Sequence, residues 1–98
     1  MASYLVANYN VTDQEGYDAY VAAVVPTILS HGGKILVAGP GSVGVEGSPG
    51  STTVVLEFPS REALEGWYKS PEYEAIIRLR TDNTDGVVVF ADGFVMPS

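Results

Sequence analysis

Residues 64–80 read LEGWYKSPEYEAIIRLR, and this stretch decides the fold. It holds the only tryptophan of the chain, two of its six tyrosines and three of its five basic residues. Ser70 suits a helix N-cap, Pro71 the first helical position, and Glu72 the acidic first turn. The stretch therefore predicts two consecutive helices, one ending at Tyr68 and one beginning after Ser70.

The polar side chains of this stretch need hydrogen-bond partners if they are buried. Such a cluster beside a sheet forms either the wall of a pocket or an interface. For Trp67 and Tyr73 we favour a structural role that ties the last helix to the sheet. For Tyr68 and Arg80 we favour an anion or carbonyl site, with the phenol donating and the guanidinium forking onto a carboxylate.

The rest of the chain alternates strands with helices. Periodicity and β-branched content predict strands over residues 4–10, 34–38, 52–58 and 86–94. Thr12, with Glu15 completing a capping box, predicts the start of the first helix, which Pro26 should bend and Gly32-Gly33 should end. Ser60 caps the helix that runs to Tyr68. The order β-α-β-β-α-β predicts an α+β, ferredoxin-like fold, a four-stranded antiparallel sheet with helices on one face.

Composition limits the classes of protein that fit. Residues 1–98 make one domain, and the absence of cysteine is compatible with a reducing cytoplasm, where we place the protein. The net charge of −7 argues against nucleic-acid binding. No segment approaches the roughly 20 apolar residues of a membrane span, and we expect no signal peptide at the N-terminus.

The predicted sheet has one face with no helix to cover it. That open face would expose valine-rich strands, so we expect a second copy of the chain to pack there as a homodimer. Asn8 shares one face of the first strand with Tyr4 and Val6 and is a predicted substrate-binding residue. By alternation Glu57 shares the open face, where it is a predicted general base or a partner for Arg80. An ion pair at the subunit interface is the alternative role for Glu57.

The glycine-rich segment and the single histidine each allow a structural and a functional interpretation. Residues 39–44 match G-x-G-x-x-G, but the following residues cannot start the helix that a dinucleotide site requires. Residues 39–50 are therefore interpreted as a flexible hairpin loop, with a lid over a pocket as the alternative. His31 is the only histidine, which argues against a metal site. It is interpreted as a helix C-terminal residue or as a general acid or base.

Several of these residues together resemble a known family, the DUF1330 proteins of the dimeric α/β-barrel superfamily. The resemblance rests on residues 11–13 with Tyr17 and Tyr20, on residues 31–34, on Glu46-Gly47, on residues 55–60, and on residues 67–73 with Arg80. It implies a ferredoxin-like subunit and a homodimer whose two sheets close a barrel. Superfamily members include cofactor-free oxygenases, cyclases, decarboxylases and isomerases, and also haem enzymes. Family members often carry a basic residue just before the third strand, where this chain has Ser51-Thr52-Thr53.

These observations lead to a functional hypothesis, a small enzyme that uses neither cofactor nor metal and holds an organic molecule between sheet and helices. Isomerisation, cyclisation or decarboxylation would suit it. The predicted catalytic residues are Glu57, His31, Tyr68 and Arg80, and the predicted substrate-binding residues are Asn8, Trp67, Ser70 and Tyr73. Glu57 or His31 would move a proton, while Tyr68 and Arg80 polarise a carbonyl or bind a carboxylate. The rival hypotheses are a non-catalytic dimeric protein that binds a small metabolite and a fold retained for assembly alone.

Overall fold

A four-stranded antiparallel sheet carries helices on one face in the computed structural model, which describes residues 1–97. The strands are β1 (Ser3–Val11), β2 (Lys34–Gly39), β3 (Thr52–Phe58) and β4 (Thr84–Asp92), in the sheet order β2-β3-β1-β4. The helices are α1 (Gln14–Ser30), α2 (Arg61–Tyr68), α3 (Pro71–Glu74) and α4 (Ile77–Thr81). This arrangement confirms the predicted α+β, ferredoxin-like fold.

Strand alternation gives the sheet two different faces. On the helix face Leu5 of β1 lies between Leu56 of β3 and Phe90 of β4. The next residue, Val6, faces the other way and lies between Val55 and Val89. Leu5 and Leu56 are buried, whereas Val89 is 51% exposed. The face without helices is therefore open to solvent in the single chain, and we call it the open face.

Helix α1 begins one residue later than predicted. Asp13, not Thr12, is its N-cap, and the Asp13 carboxylate accepts a hydrogen bond from the backbone N–H of Gly16 at 3.3 Å. The backbone N–H of Thr12 instead donates to the carbonyl of Asn83 at 2.8 Å, which ties the start of α1 to the end of α4. The helix runs unbroken through Pro26, whose ring lies on its exposed side.

The stretch 64–80 forms two helices up to Glu74, as predicted, and then departs from the prediction. Ser60 caps α2 and Ser70 caps α3, each by accepting a backbone N–H three residues on. The predicted continuous helix to Arg80 is broken after Glu74, because Ile76 takes φ −121° and ψ −7° and α4 restarts at Ile77. Ile76 and Ile77 both pack against the core, which favours the break over a regular helix.

The core between the sheet and the helices is largely aromatic. Trp67 and Phe58 are fully buried, and their ring centroids lie 5.4 Å apart. On its other side Trp67 packs against Tyr73 at 4.2 Å. Gly33 closes this core at the start of β2, where a Cβ would lie 2.7 Å from the Ile28 side chain and 2.8 Å from the Phe58 ring. Among residues 1–97 no helix is both long and apolar enough to span a membrane.

Two glycine substitutions should shift stability in opposite directions. Gly33→Ala should lower the free energy of unfolding by about 1–3 kcal/mol, because its methyl group would push on two core side chains. Gly66→Ala is the matched control inside α2, where nothing lies near the added Cβ. It should raise stability by about 0.5–1 kcal/mol, since alanine favours the helix. Urea unfolding of both variants measures this, and a neutral Gly33→Ala would contradict the described packing.

Candidate functional site

A cavity of ≈ 70 Å³ lies between the sheet and the helices. Apolar side chains from α1 and all four strands form most of its wall. Six of the lining residues carry polar groups in their side chains, namely Tyr9, Tyr17, Tyr20, Trp67, Tyr73 and Arg80. Three lining residues, Val21, Ile35 and Ala38, are exposed, so the cavity opens between α1 and the edge strand β2. An apolar pocket with a few polar groups is typical of a small-molecule site.

The phenols in the cavity form two hydrogen-bonded pairs. The hydroxyls of Tyr9 and Tyr17 lie 2.8 Å apart, and those of Tyr20 and Tyr73 also lie 2.8 Å apart. Burial raises the pKa of Tyr9 and of Tyr20 well above the ordinary value, with the paired phenols adding to the effect. These phenols are therefore neutral near pH 7 and act as hydrogen-bond donors, not as bases.

Arg80 brings a charge to this wall. Its Nε donates to the Tyr73 hydroxyl at 3.3 Å, and its Nη2 lies 3.5 Å from the Tyr68 hydroxyl. The side chain is buried, and among residues 1–97 it forms no ion pair with an acid. Burial lowers the pKa of Arg80, but Tyr73 and the other nearby phenols more than offset this, so the pKa is raised. The guanidinium is a permanent cation.

One nitrogen of this guanidinium remains free to bind a ligand. Nη1 of Arg80 has no hydrogen-bond partner among residues 1–97. Yet no fully buried side-chain nitrogen or oxygen in that part of the chain lacks a partner. Nη1 must therefore touch accessible space. A buried cation with an unfilled donor favours an acceptor oxygen as its partner.

Trp67, Tyr68 and Ser70 support this wall in different ways. The Trp67 ring lines the cavity, while its Nε1 donates to the Thr27 hydroxyl at 3.0 Å. Tyr68 lies behind Arg80 and outside the lining. Ser70 caps α3, and its hydroxyl donates to the carbonyl of Trp67 at 2.7 Å. Ser70 thus joins α2 to α3. It was predicted to bind substrate, but it does not line the cavity.

Glu57 lies on the open face, on the other side of the sheet from Arg80. It pairs in register with Tyr4, whose hydroxyl donates to Oε1 of Glu57 at 3.0 Å. This hydrogen bond raises the pKa of Tyr4. Nζ of Lys34 lies 3.9 Å from Oε2 of Glu57. The open-face placement agrees with the alternation argument, but the expected meeting of Glu57 with Tyr68 and Arg80 does not occur, because alternate residues of β3 point to opposite faces.

His31 lies just beyond the end of α1 and outside the cavity lining. Its Nδ1 is 2.9 Å from the carbonyl oxygen of Thr27, and its Nε2 is 3.7 Å from Oε2 of Glu72. These contacts connect the end of α1 to α3. They match the structural interpretation of His31 and leave it no position from which to transfer a proton in the cavity.

Asn8 holds the glycine-rich loop in place. Its Oδ1 accepts from the Gly50 N–H at 2.6 Å, and its Nδ2 donates to the Gly50 carbonyl at 3.1 Å. Gly50 is required here because a Cβ would lie 2.3 Å from the backbone of Tyr9. The loop covers one end of the open face, forming a groove of ≈ 460 Å³ beside Glu46 and Asp85. It is therefore not a lid over the apolar cavity, and Asn8 does not reach that cavity.

The sequence analysis missed three cavity residues, Tyr9, Tyr17 and Tyr20. It named Tyr17 and Tyr20 only for the family resemblance and did not single out Tyr9, although all three are buried. The available signal was the phenol itself, since a tyrosine on a buried stripe must place its hydroxyl against a polar partner. In residues 1–97 no group of three or more His, Cys, Asp or Glu side chains is placed to hold a metal ion.

Comparisons with known proteins support the fold and identify a family. A structure of a protein of unknown function from Rhodopseudomonas palustris is similar at TM-score 0.80 and 16% identity, covering 97% of this chain and 84% of that one. A dimeric ferredoxin-like protein of unknown function from Thermobifida fusca is similar at TM-score 0.68 and 14% identity, covering 94% and 91%.

SnoaB, a cofactor-independent oxygenase from Streptomyces nogalater, is similar at TM-score 0.66 and 7% identity, covering 97% of this chain and 95% of that one. At these identities the likeness shows the fold alone. No curated protein sequence matches the chain. The family model described as "Domain of unknown function (DUF1330)" matches residues 2–94, so the chain belongs to the DUF1330 family.

Proposed function

We propose that this protein is a small enzyme that needs no cofactor and stabilises negative charge on an oxygen atom of an organic substrate. The observation that carries the proposal is the buried Arg80, which lines the apolar cavity, has no acidic partner in residues 1–97 and leaves Nη1 without a hydrogen bond there. A fixed cation and neutral phenols in a pocket of low dielectric are suited to hold an enolate or a carboxylate. SnoaB, which has a similar fold, is a cofactor-independent oxygenase, so this fold is compatible with catalysis that needs no cofactor.

The cavity wall favours decarboxylation over the other reactions of this class. Isomerisation and cyclisation require a base to remove a proton from carbon, and no carboxylate or imidazole lines the cavity. In a β-keto acid, the bond to the carboxyl carbon breaks, CO₂ leaves, and the electron pair moves to the ketone oxygen. Arg80 and the phenols stabilise that enolate oxygen, and water then protonates the carbon. No protein base is needed in this sequence.

A non-catalytic binding protein is the second candidate function, and the same lack of a base on the cavity wall favours it. The cavity volume of ≈ 70 Å³ is small beside the roughly 300–1,000 Å³ of drug-sized sites, so either function concerns a small molecule. Release of CO₂ from acetoacetate and related β-keto acids separates the two. Turnover above the uncatalysed rate supports the enzyme, and binding without turnover supports the second candidate.

The open face also favours a homodimer as the working form. A row of valines crosses all four strands there, from Val37 through Val55 and Val6 to Val89. Val37 and Val89 are 47% and 51% exposed in the single chain. A second copy with the same row would cover this apolar surface. The dimeric ferredoxin-like relative from Thermobifida fusca supports the same assembly.

Replacing Arg80 should weaken ligand binding far more than replacing its neighbour. Arg80→Met removes the buried cation and should lower the affinity for a β-keto acid by about 10- to 100-fold. Arg78→Met is the matched control, because Arg78 is exposed and its one ion pair among residues 1–97 is with Asp82, just after α4. Fluorescence or NMR of Trp67, the sole tryptophan, reports on the cavity directly. Equal affinities of both variants, with thermal unfolding intact, would exclude Arg80 from the site.

Binding should not depend on pH between about 5.5 and 9. The raised pKa of Arg80 keeps its charge, and the raised pKa values of Tyr9 and Tyr20 keep their protons until well above pH 10.0. Affinity is therefore lost only when strongly alkaline solution removes the phenol protons. A pH dependence of binding within this range that disappears in His31→Gln would instead assign the site to imidazole.

Val89→Asp should convert the dimer to a monomer without unfolding it, because a carboxylate would be buried in the apolar row when two copies meet. Leu29→Asp is the control on the outer side of α1, where the side chain is 60% exposed. Light scattering at micromolar concentration gives the mass. A monomeric native chain, or a dimer that survives Val89→Asp, would contradict assembly through the open face.

A further inference from the structure

The phenol pairs in the cavity carry more protons than their hydrogen bonds use. Tyr9 and Tyr17 each have one O–H proton, and the bond between their oxygens uses one of the two. Neither hydroxyl has another partner in residues 1–97. One proton of this pair is therefore left over, whichever phenol donates.

The second pair has the same surplus. Tyr20 and Tyr73 share one hydrogen bond, which again uses one of two O–H protons. The Tyr73 oxygen also accepts from Nε of Arg80, which leaves the number of spare phenol protons unchanged. Nη1 of Arg80 adds two N–H protons, so with one proton from each phenol pair at least four donor protons have no acceptor among residues 1–97. The surplus is of donors, and a bound molecule must supply the acceptors.

We infer that the cavity selects a small carboxylate, an oxyanion with two acceptor oxygens, and rejects the matching amide and amine. The specificity-determining groups are Nη1 of Arg80 and one proton from each phenol pair. This inference rests on the proposed function, because it takes the cavity between sheet and helices as the ligand site. An amide would bring N–H donors to a wall that already has too many, and an amine would bring a cation beside Arg80.

The proton count has a consequence that simple packing would not produce. Tyr17→Phe removes one proton and also one acceptor, so Tyr9 keeps one O–H free for the ligand. In the same way, Tyr9→Phe leaves the O–H of Tyr17 free for the ligand. Only the double variant Tyr9→Phe/Tyr17→Phe removes the spare proton of the pair. Selectivity should therefore survive either single change and fall only when both hydroxyls are gone.

The test uses three four-carbon probes, butyrate, butyramide and butylamine, titrated into the full chain. The indole N–H signal of Trp67 reports binding. Butyrate should bind about tenfold or more tightly than butyramide, and butylamine should not bind. Each single variant should keep the butyrate-to-butyramide ratio within about threefold, and the double variant should lower the ratio about tenfold. Tyr4→Phe, on the open face, is the control and should leave the ratio unchanged.

The outcomes separate this inference from the proposed function. If butyramide binds as tightly as butyrate, or if the double variant keeps the native ratio, the donor count does not set specificity, while the cavity remains the binding site. If no probe or β-keto acid shifts the Trp67 signal, the cavity is not the ligand site, and both the inference and the proposed function are overturned. A ratio that falls in the double variant while thermal unfolding stays two-state supports the inference.

Discussion

The alternation of side chains along β1 is the constraint on which the rest of the structure depends. β1 lies in the interior of the sheet between β3 and β4, so its pleat sets the pleat of both neighbours. Leu5, Ala7 and Tyr9 face the helices and are almost fully buried. Tyr4 and Asn8 face the other way, with polar partners on β3 and on the loop before it. A shift of one residue would exchange these two sets.

This constraint divides the polar residues into two groups that do not meet. Glu57, Tyr4 and Lys34 form a polar cluster on the open face. Arg80 and the tyrosines form the other group, between sheet and helices. A mechanism that needs a carboxylate and a guanidinium on one substrate therefore does not fit a single subunit. A mechanism that uses only hydrogen-bond donors, such as Arg80 and the phenols, is compatible with a single subunit.

Burial of Arg80 without an acid is the least expected energetic feature. A buried cation is strongly unfavourable unless its donors are satisfied. Here two phenols accept from the guanidinium, and the bond of Tyr73 to Tyr20 extends this network to α1. The aromatic rings around it supply the packing, with Trp67 against Tyr73 at 4.2 Å. The cluster therefore fixes the position of α4 and places Arg80 on the cavity wall at the same time.

Local signals in the sequence determined the elements and their order. Ser60 and Ser70 fixed two helix starts because an N-cap acts through bonds to the next few residues. The strand over residues 52–58 was predicted with its observed ends, and its alternation placed Glu57 on the open face correctly. The residues that carry the family resemblance also identified the family, which the match over residues 2–94 confirmed.

The tertiary structure decided which of these residues meet. The break at Ile76 depends on how Ile76 and Ile77 pack against the core, which no local signal reveals. The pairing of Tyr20 with Tyr73 joins residues 53 positions apart. It placed two side chains from distant parts of the sequence together on the wall of the cavity. The sequence alone determined the fold and which face each strand residue takes, because capping and alternation are short-range. The composition of the site came from long-range packing, which only the folded chain defines.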